Sequence, residues 1–409
     1  MLDSDLKLRH LPFFEEIAGL EAESAECRAA TAGLVTLRLV DSWLESGLSL
    51  KEDSWSVPHV RKAIREMDEG TPLRSMLLRV VDALRSRKPD IHAVVAQLMA
   101  YGQVLEYDAH WLLAGDVYQT LLAHLHPIED SEASIAAHIR LGMCYRNRHL
   151  LEEAASAYSA ASNIASTVND LDGVLRARIG EASLARLRGN LPEADAILVE
   201  AVARATGPDL REVRAKALGE RSGVAVLGGQ FELGIRLAYD ALVQIQSPTD
   251  RDRILNNIAV AFTHLGVYSA AQDAYLVLSA TAQEQYMRWA ATLNLLDVSS
   301  RIGSETLFEN YRQQLTGEPL PPHLSTAFEL SLGNGYKRFG STDKARTHLE
   351  RAAAIASEHA LNQYLIEAAE ALDSLKTPTP PRQVSAKIPL DLEEVASVIR
   401  GMRESAGTA

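Results

Sequence analysis

Cysteine is scarce in this sequence: there are two among 409 residues, Cys27 and Cys144, neither in a CxxC pair nor in a Cys/His cluster with zinc-ligand spacing. That excludes a disulfide scaffold and a cysteine-ligated zinc site, and it points to a reducing, cytoplasmic setting. Long apolar runs are missing as well, since no stretch approaches the roughly 20 residues needed to cross a bilayer. The opening MLDSDLKLRHLPFF has acidic residues where a secretory signal is basic, and no apolar segment precedes a small-residue cleavage site. No membrane association is therefore expected. Positive charge is in deficit, with 41 Lys and Arg against 54 Asp and Glu, a net charge of −13. Long-range attraction to nucleic acid is not expected of such a chain. Catalytic signatures are absent too: the sequence has no GxxxxGK[ST], HExxH or GxSxG. Neither enzymatic activity nor a cofactor is expected.

What is present is apolar residues at steps of three and four through most of the chain, as in SIAAHIRLGMCYRN and EEAASAYSAASNIA. Strand-like alternation is nearly lacking, so the expected fold class is all-α. With 47% hydrophobic and 23% charged residues, the chain has ample material for a core. Gly189, Gly229, Gly266, Gly303 and Gly340 each follow one helical stretch and precede another, which predicts helix–turn–helix units.

The second helices of these units align. Ala154, Tyr158 and Ala161 correspond to Ala194, Leu198 and Ala201, and then to Gly234, Ala238 and Ala241, at steps of 40 residues. At steps of 37 the series continues through Ala271, Tyr275 and Leu278, through Phe308, Arg312 and Leu315, and through Ala345, Leu349 and Ala352. Backward it reaches Ala114, Tyr118 and Leu121. A small residue lets two helix backbones approach, and a large one four positions on fills the groove beside it. One helix pair cannot bury both of its faces, so such pairs stack.

Leu141, Gly142, Tyr145, Ala154, Tyr158 and Ala161 give the clearest unit, and Leu332, Gly333, Tyr336, Gly340, Ala345, Leu349 and Ala352 a second one. In these residues the chain resembles the tetratricopeptide repeat family, over about residues 91–375. The resemblance implies a right-handed superhelical solenoid of antiparallel helix hairpins. Periods of 37 to 40 exceed the roughly 34 residues usual for that repeat, so longer helices are expected. Residues 1–90 read as further helices that form degenerate repeats or a capping bundle. Residues 376–389 are a Pro-rich linker. Residues 390–409 hold a short tail helix with Leu392, Val395, Val398, Ile399 and Met402 on one face, ready to dock on the array or on a partner.

Other chemistry-bearing residues have plainer readings. The glycines of LGNGYKRFG belong to the repeat register rather than to a phosphate loop. His124 in HLHP, with His110 and His138 nearby, lacks cysteines or carboxylates at ligand spacing, so these are solvated or capping histidines and no metal is expected. Cys144, between Gly142 and Tyr145 on a packed helix, is expected to be an inert buried thiol. The cations Arg61, Lys62, Arg65, Arg74, Arg79, Arg85, Arg87 and Lys88 are interrupted by Glu66, Asp68, Glu69 and Asp82, and no recognition helix stands out among them.

In a tetratricopeptide array the first helices line the concave face. The resemblance places there Arg140, Arg146 and Asn147; Arg176 and Arg186; Lys216; Arg253, Asn256, Asn257 and His264; Asn294 and Arg301; and Asn334, Lys337 and Arg338. Asparagine offers both a donor and an acceptor to a peptide backbone, and Arg forks hold carboxylates. The expected function is a non-catalytic scaffold that binds a protein or peptide, acidic or with a free C-terminal carboxylate, in this groove. Self-association is compatible with such an array. The rival reading is a peptide-responsive intracellular regulator whose N-terminal region contacts DNA or an effector protein. A competing fate for the groove charges is pairing with Asp and Glu of neighbouring helices.

Overall fold

Seven turns set the register of the chain, a computed structural model that describes residues 9–46, 56–85, 91–376 and 386–407. Ala109, His149, Gly189, Gly229, Gly266, Gly303 and Gly340 all have left-handed backbones, with φ between 59° and 79°. After each of them the next residue donates its N–H to the carbonyl five residues back, as in Asn190 to Ala185 and Val267 to Phe262, both at 2.9 Å. This is the Schellman ending of an α-helix, in which a left-handed residue turns the chain while orphan carbonyls stay satisfied. The five glycines singled out in the sequence fill five of these positions. Ala109 and His149 fill the other two at the steric cost that glycine avoids.

The fold is all-α, and the described residues contain no strand. They form two compact units, divided between Asn190 and Leu191. The first holds α1 (Leu11–Gly19), α2 (Ala25–Glu45), α3 (Ser56–Arg65), α4 (Pro72–Leu84), α5 (Ile91–Tyr107), α6 (Trp111–His124), α7 (Ser131–Asn147), α8 (Leu151–Thr167) and α9 (Leu171–Leu187). The second holds α10 (Leu191–Arg204), α11 (Arg211–Leu227), α12 (Phe231–Leu242), α13 (Pro248–His264), α14 (Tyr268–Thr281), α15 (Gln285–Arg301), α16 (Glu305–Leu315), α17 (Pro322–Arg338), α18 (Thr342–Glu358), α19 (Asn362–Asp373) and α20 (Glu393–Ser405). The first helix of every repeat, from α5 to α17 in odd numbers, has 17 residues.

Within each unit the hairpins stack with their neighbours in sequence, as in a solenoid. In the first unit α5 packs on α7, and α7 on α9. In the second, α11 packs on α13, α13 on α15, α15 on α17, and α17 on α19. Within each unit second helices pack on neighbouring first helices, as α6 and α8 do on α7 and α12 and α14 on α13, and they make no comparable contact with one another among the described residues. The first helices therefore form the inner layer of each stack and the second helices the outer one.

The aligned small and large positions of the second helices are buried, apart from Arg312, which pairs with Glu309 on its own helix. Tyr158 shows why small residues recur on the first helices too. Its ring lies against Gly142 of α7 on one side and Gly180 of α9 on the other, and a Cβ at either glycine would collide with it. Cys144 is buried, as expected, and that burial pushes its thiol up to about 12, which disfavours the reactive thiolate.

Helices α1–α4 have no core of their own. Phe13, Leu37, Trp43, Ile64, Leu77 and Val80 join one cluster with Leu98, Tyr101, Val117, Tyr118 and Cys144 from α5–α7. The linker residues 377–385 lie outside the described residues, as do Arg87 and Lys88. Beyond the linker, Leu392, Val395, Ala396 and Ile399 are buried in the core of the second unit and Met402 packs against it, whereas Val398 stays exposed. The tail helix is thus docked on the array.

Candidate functional site

The inner layer carries the groove residues inferred from the sequence, and most of their charges are already used within the protein. Arg140 on α7 donates to Glu106 on α5 at 2.6 Å, and Glu106 is buried. Lys216 on α11 reaches Asp250 on α13 at 3.7 Å, and Arg253 reaches the same carboxylate at 3.9 Å. Arg338 on α17 bridges to Asp297 on α15 at 3.0 Å, beside the Arg301–Asp297 pair at 2.6 Å. Arg176 pairs along its own helix with Asp172. The Asn257 amide donates to the Gly219 carbonyl at 3.2 Å and so cements α13 to α11. His264 stacks on Phe231 of α12, with centroids 4.6 Å apart and rings within 4° of parallel. Lys337 is engaged within the protein as well.

The remaining candidates keep their polar groups for solvent. In the first unit these are Arg146 and Arg186, both half-buried, and the exposed Asn147. In the second they are Asn256, Asn294 and Asn334, all half-buried, which lie on the successive first helices α13, α15 and α17. None of the three makes a hydrogen bond within the protein among the described residues. Each presents one acceptor and two donors. Partial burial limits their rotamers, so less entropy is lost when a ligand orders them.

A second polar constellation escaped the sequence reading. His10, at the N-terminus of α1, is buried between two carboxylates, with Nδ1 at 2.8 Å from Asp116 of α6 and Nε2 at 3.2 Å from Asp41 of α2. His124 Nε2 lies 3.0 Å from the other oxygen of Asp41, and exposed Arg9 reaches Asp41 at 3.1 Å and Glu45 at 2.6 Å. Burial opposes a charge on His10, but the bonds from Asp116 and Asp41 outweigh it and raise the imidazole to about 9. Burial likewise works against the Asp41 carboxylate, yet His10 and His124 hold it down at about 2. Both nitrogens of His10 then donate, which makes it an imidazolium shared by two anions. An open cavity of about 440 Å³ borders the cluster. The Thr120 hydroxyl on its wall donates to the Asp116 backbone carbonyl. With these groups satisfied by one another, the cluster pins α1 to α2 and α6.

The histidines weighed as metal ligands are dispersed. His124 is bound to Asp41, His110 precedes α6 without capping it, and burial lowers His138. Among the described residues no group of three or more His, Cys, Asp or Glu side chains has the geometry to hold a metal ion. No described helix is long and apolar enough to cross a membrane.

No protein-family model matches the chain, and no curated protein matches it. Among solved structures it is similar to a crystal structure of BtubC (BKLC) from P. vanneervenii, at 17% sequence identity and a TM-score of 0.34. That match covers 72% of this chain and 98% of the other. A likeness so distant carries no argument about function.

Proposed function

We propose that the protein is a non-catalytic scaffold of tetratricopeptide-like hairpins, working in the cytoplasm, that binds an extended segment of a partner protein along its inner layer of first helices. The observation that carries this reading is the series Asn256, Asn294 and Asn334, three carboxamides on successive first helices, half-buried and without side-chain partners among the described residues. A side-chain amide can both donate to and accept from the N–H and C=O groups of an extended peptide. Arg146 and Arg186 add unpaired positive charge to the inner layer of the first unit, which favours acidic segments or a free C-terminal carboxylate.

Nucleic acid is not the proposed partner. Arg61 pairs with Asp82, Lys62 with Glu66 at 3.8 Å, and Arg74 with Glu69 at 3.6 Å, so three cations of the basic stretch of α3 and α4 are matched by its own carboxylates. The core that α1–α4 share with the hairpins weighs against a detachable N-terminal output module.

Affinity capture with the full chain, compared with a chain carrying Asn256→Ala, Asn294→Ala and Asn334→Ala, tests the reading. A partner held by the parent chain and lost by the variant, at equal thermal stability, is the expected result. Equal capture by both chains contradicts it.

A further inference from the structure

On most second helices, the position two residues after the first aligned position of the repeat faces solvent. Ser156, Ala196, Arg236, Asn310 and Thr347 occupy it and are all exposed. Asp273 occupies it on α14 and is buried, because α20 lies over it. The helix forms a third layer outside the two layers of the repeats. Ala386 donates its backbone N–H to the Gly266 carbonyl at the α13–α14 turn, at 2.8 Å, before the chain enters α20.

The covered groove has a readable specificity. Its floor accepts Leu392, Val395, Ala396 and Ile399, spaced as one face of a helix. One end is basic and polar: Arg236 of α12 pairs with Asp391 at 2.5 Å, and the Tyr239 hydroxyl donates to Glu394 at 2.8 Å. The other end is acidic: Asp273 accepts from Arg403 at 2.8 Å and lies 3.8 Å from Arg400. This polarity matches the charge order that an isolated helix itself favours, with acids at its start and cations at its end. The groove thus selects both the sequence and the direction of its occupant.

We propose that the outer face of α12 and α14 is a docking site for an amphipathic helix of a partner protein, with acids in its first turn and two arginines three residues apart near its end, and that α20 is the tethered occupant which that helix displaces. The charge complementarity at both ends names the partner's chemistry, and α20 is the template for it. Tethering gives α20 a high effective concentration, so a partner helix competes only when it binds better or when α20 is weakened. The site is separate from the inner layer and does not depend on what binds there.

The test uses the full chain and a fluorescent synthetic peptide of residues 387–407 as the probe. Ile399→Asp in the chain places a charge on the buried face of α20 and leaves the groove untouched. The peptide is expected to bind this chain at least about tenfold more tightly than the parent chain. Adding Asp273→Arg to the chain should abolish binding, and a peptide with Arg400→Asp and Arg403→Asp should restore it. An Ile399→Asp chain that keeps its helical circular dichroism but gains no affinity for the peptide overturns the proposal. So does light scattering that shows the parent chain to be a dimer and the Ile399→Asp chain a monomer, which would make a second copy the occupant. Hydrogen exchange on the parent chain supplies a readout without substitutions: amides of α20 should exchange at least about tenfold faster than those of α14, through opening of the helix alone. Equal, slow exchange in both helices would overturn the proposal as well.

Discussion

Asp116 on α6 and Asp273 on α14 stand at the same position of the repeat, and each holds an element from outside the repeats. Asp116 receives His10 from the start of α1, and Asp273 receives Arg400 and Arg403 from α20. The two carboxylates are equally buried, and what differs is the exposure of the cations they receive. His10 is buried with two carboxylates around it, and its helix belongs to the same core as the first hairpins. Arg403 and Arg400 approach from the rim, with side chains 31% and 55% exposed. A charge sunk in the core is bound to the folding of its unit, because removing one partner strands the other in low dielectric. A charge at the rim costs little to release, because water takes over its solvation. The same register position thus serves as a permanent pin at one site and as a releasable catch at the other.

The largest expected effect comes from breaking the His10 socket. His10→Ala should destabilise the first unit by about 3–5 kcal/mol, the cost of leaving buried carboxylates without their cation, measured by chemical denaturation. Next comes its pH dependence. In the folded chain His10 is raised from 6.5 to about 9, so its contribution is complete below 6.5 and is lost as pH rises through about 9. Asp41 is lowered from 3.8 to about 2, so its contribution is present above 3.8 and is lost as pH falls through about 2. Denaturation midpoints of the parent chain should fall between pH 6.5 and 9, and that slope should vanish in the His10→Ala chain.

Breaking the Arg403 socket is milder. Arg403→Ala should cost about 1 kcal/mol and speed hydrogen exchange in α20 while α14 stays protected. Smallest of all is the effect on stability of Asn256→Ala, Asn294→Ala and Asn334→Ala, each expected within about 0.5 kcal/mol of the parent chain in thermal melts. Those amides bond to nothing among the described residues, so their removal should show only in binding.

How far the sequence discloses all this depends on distance along the chain. The hairpins follow from local signals: glycines at helix ends and small residues that meet a large one within the same repeat, as Gly142 meets Tyr158. Ala109 and His149 turn the chain as the glycines do, but their residue types do not announce it. The inner layer is legible as a direction and not as a set of free groups. Register turns Arg140 and Asn257 inward, yet it cannot show that Glu106 and the Gly219 carbonyl wait on the neighbouring helix. The His10 cluster was hidden altogether, because its partners lie 31 and 106 residues away and no periodicity links them. The tail helix was visible from its apolar face, but its seat over Asp273 follows only from the packed structure.

The central claim is that the inner first-helix layer binds a protein segment through its unpaired amides. Selection of short extended peptides from a displayed library on the full chain, followed by titration against the Asn256→Ala, Asn294→Ala, Asn334→Ala chain, tests it most directly. The account predicts peptides that bind the parent chain and lose at least about tenfold in affinity to the variant, at unchanged thermal stability. Peptides that bind both chains equally would contradict it.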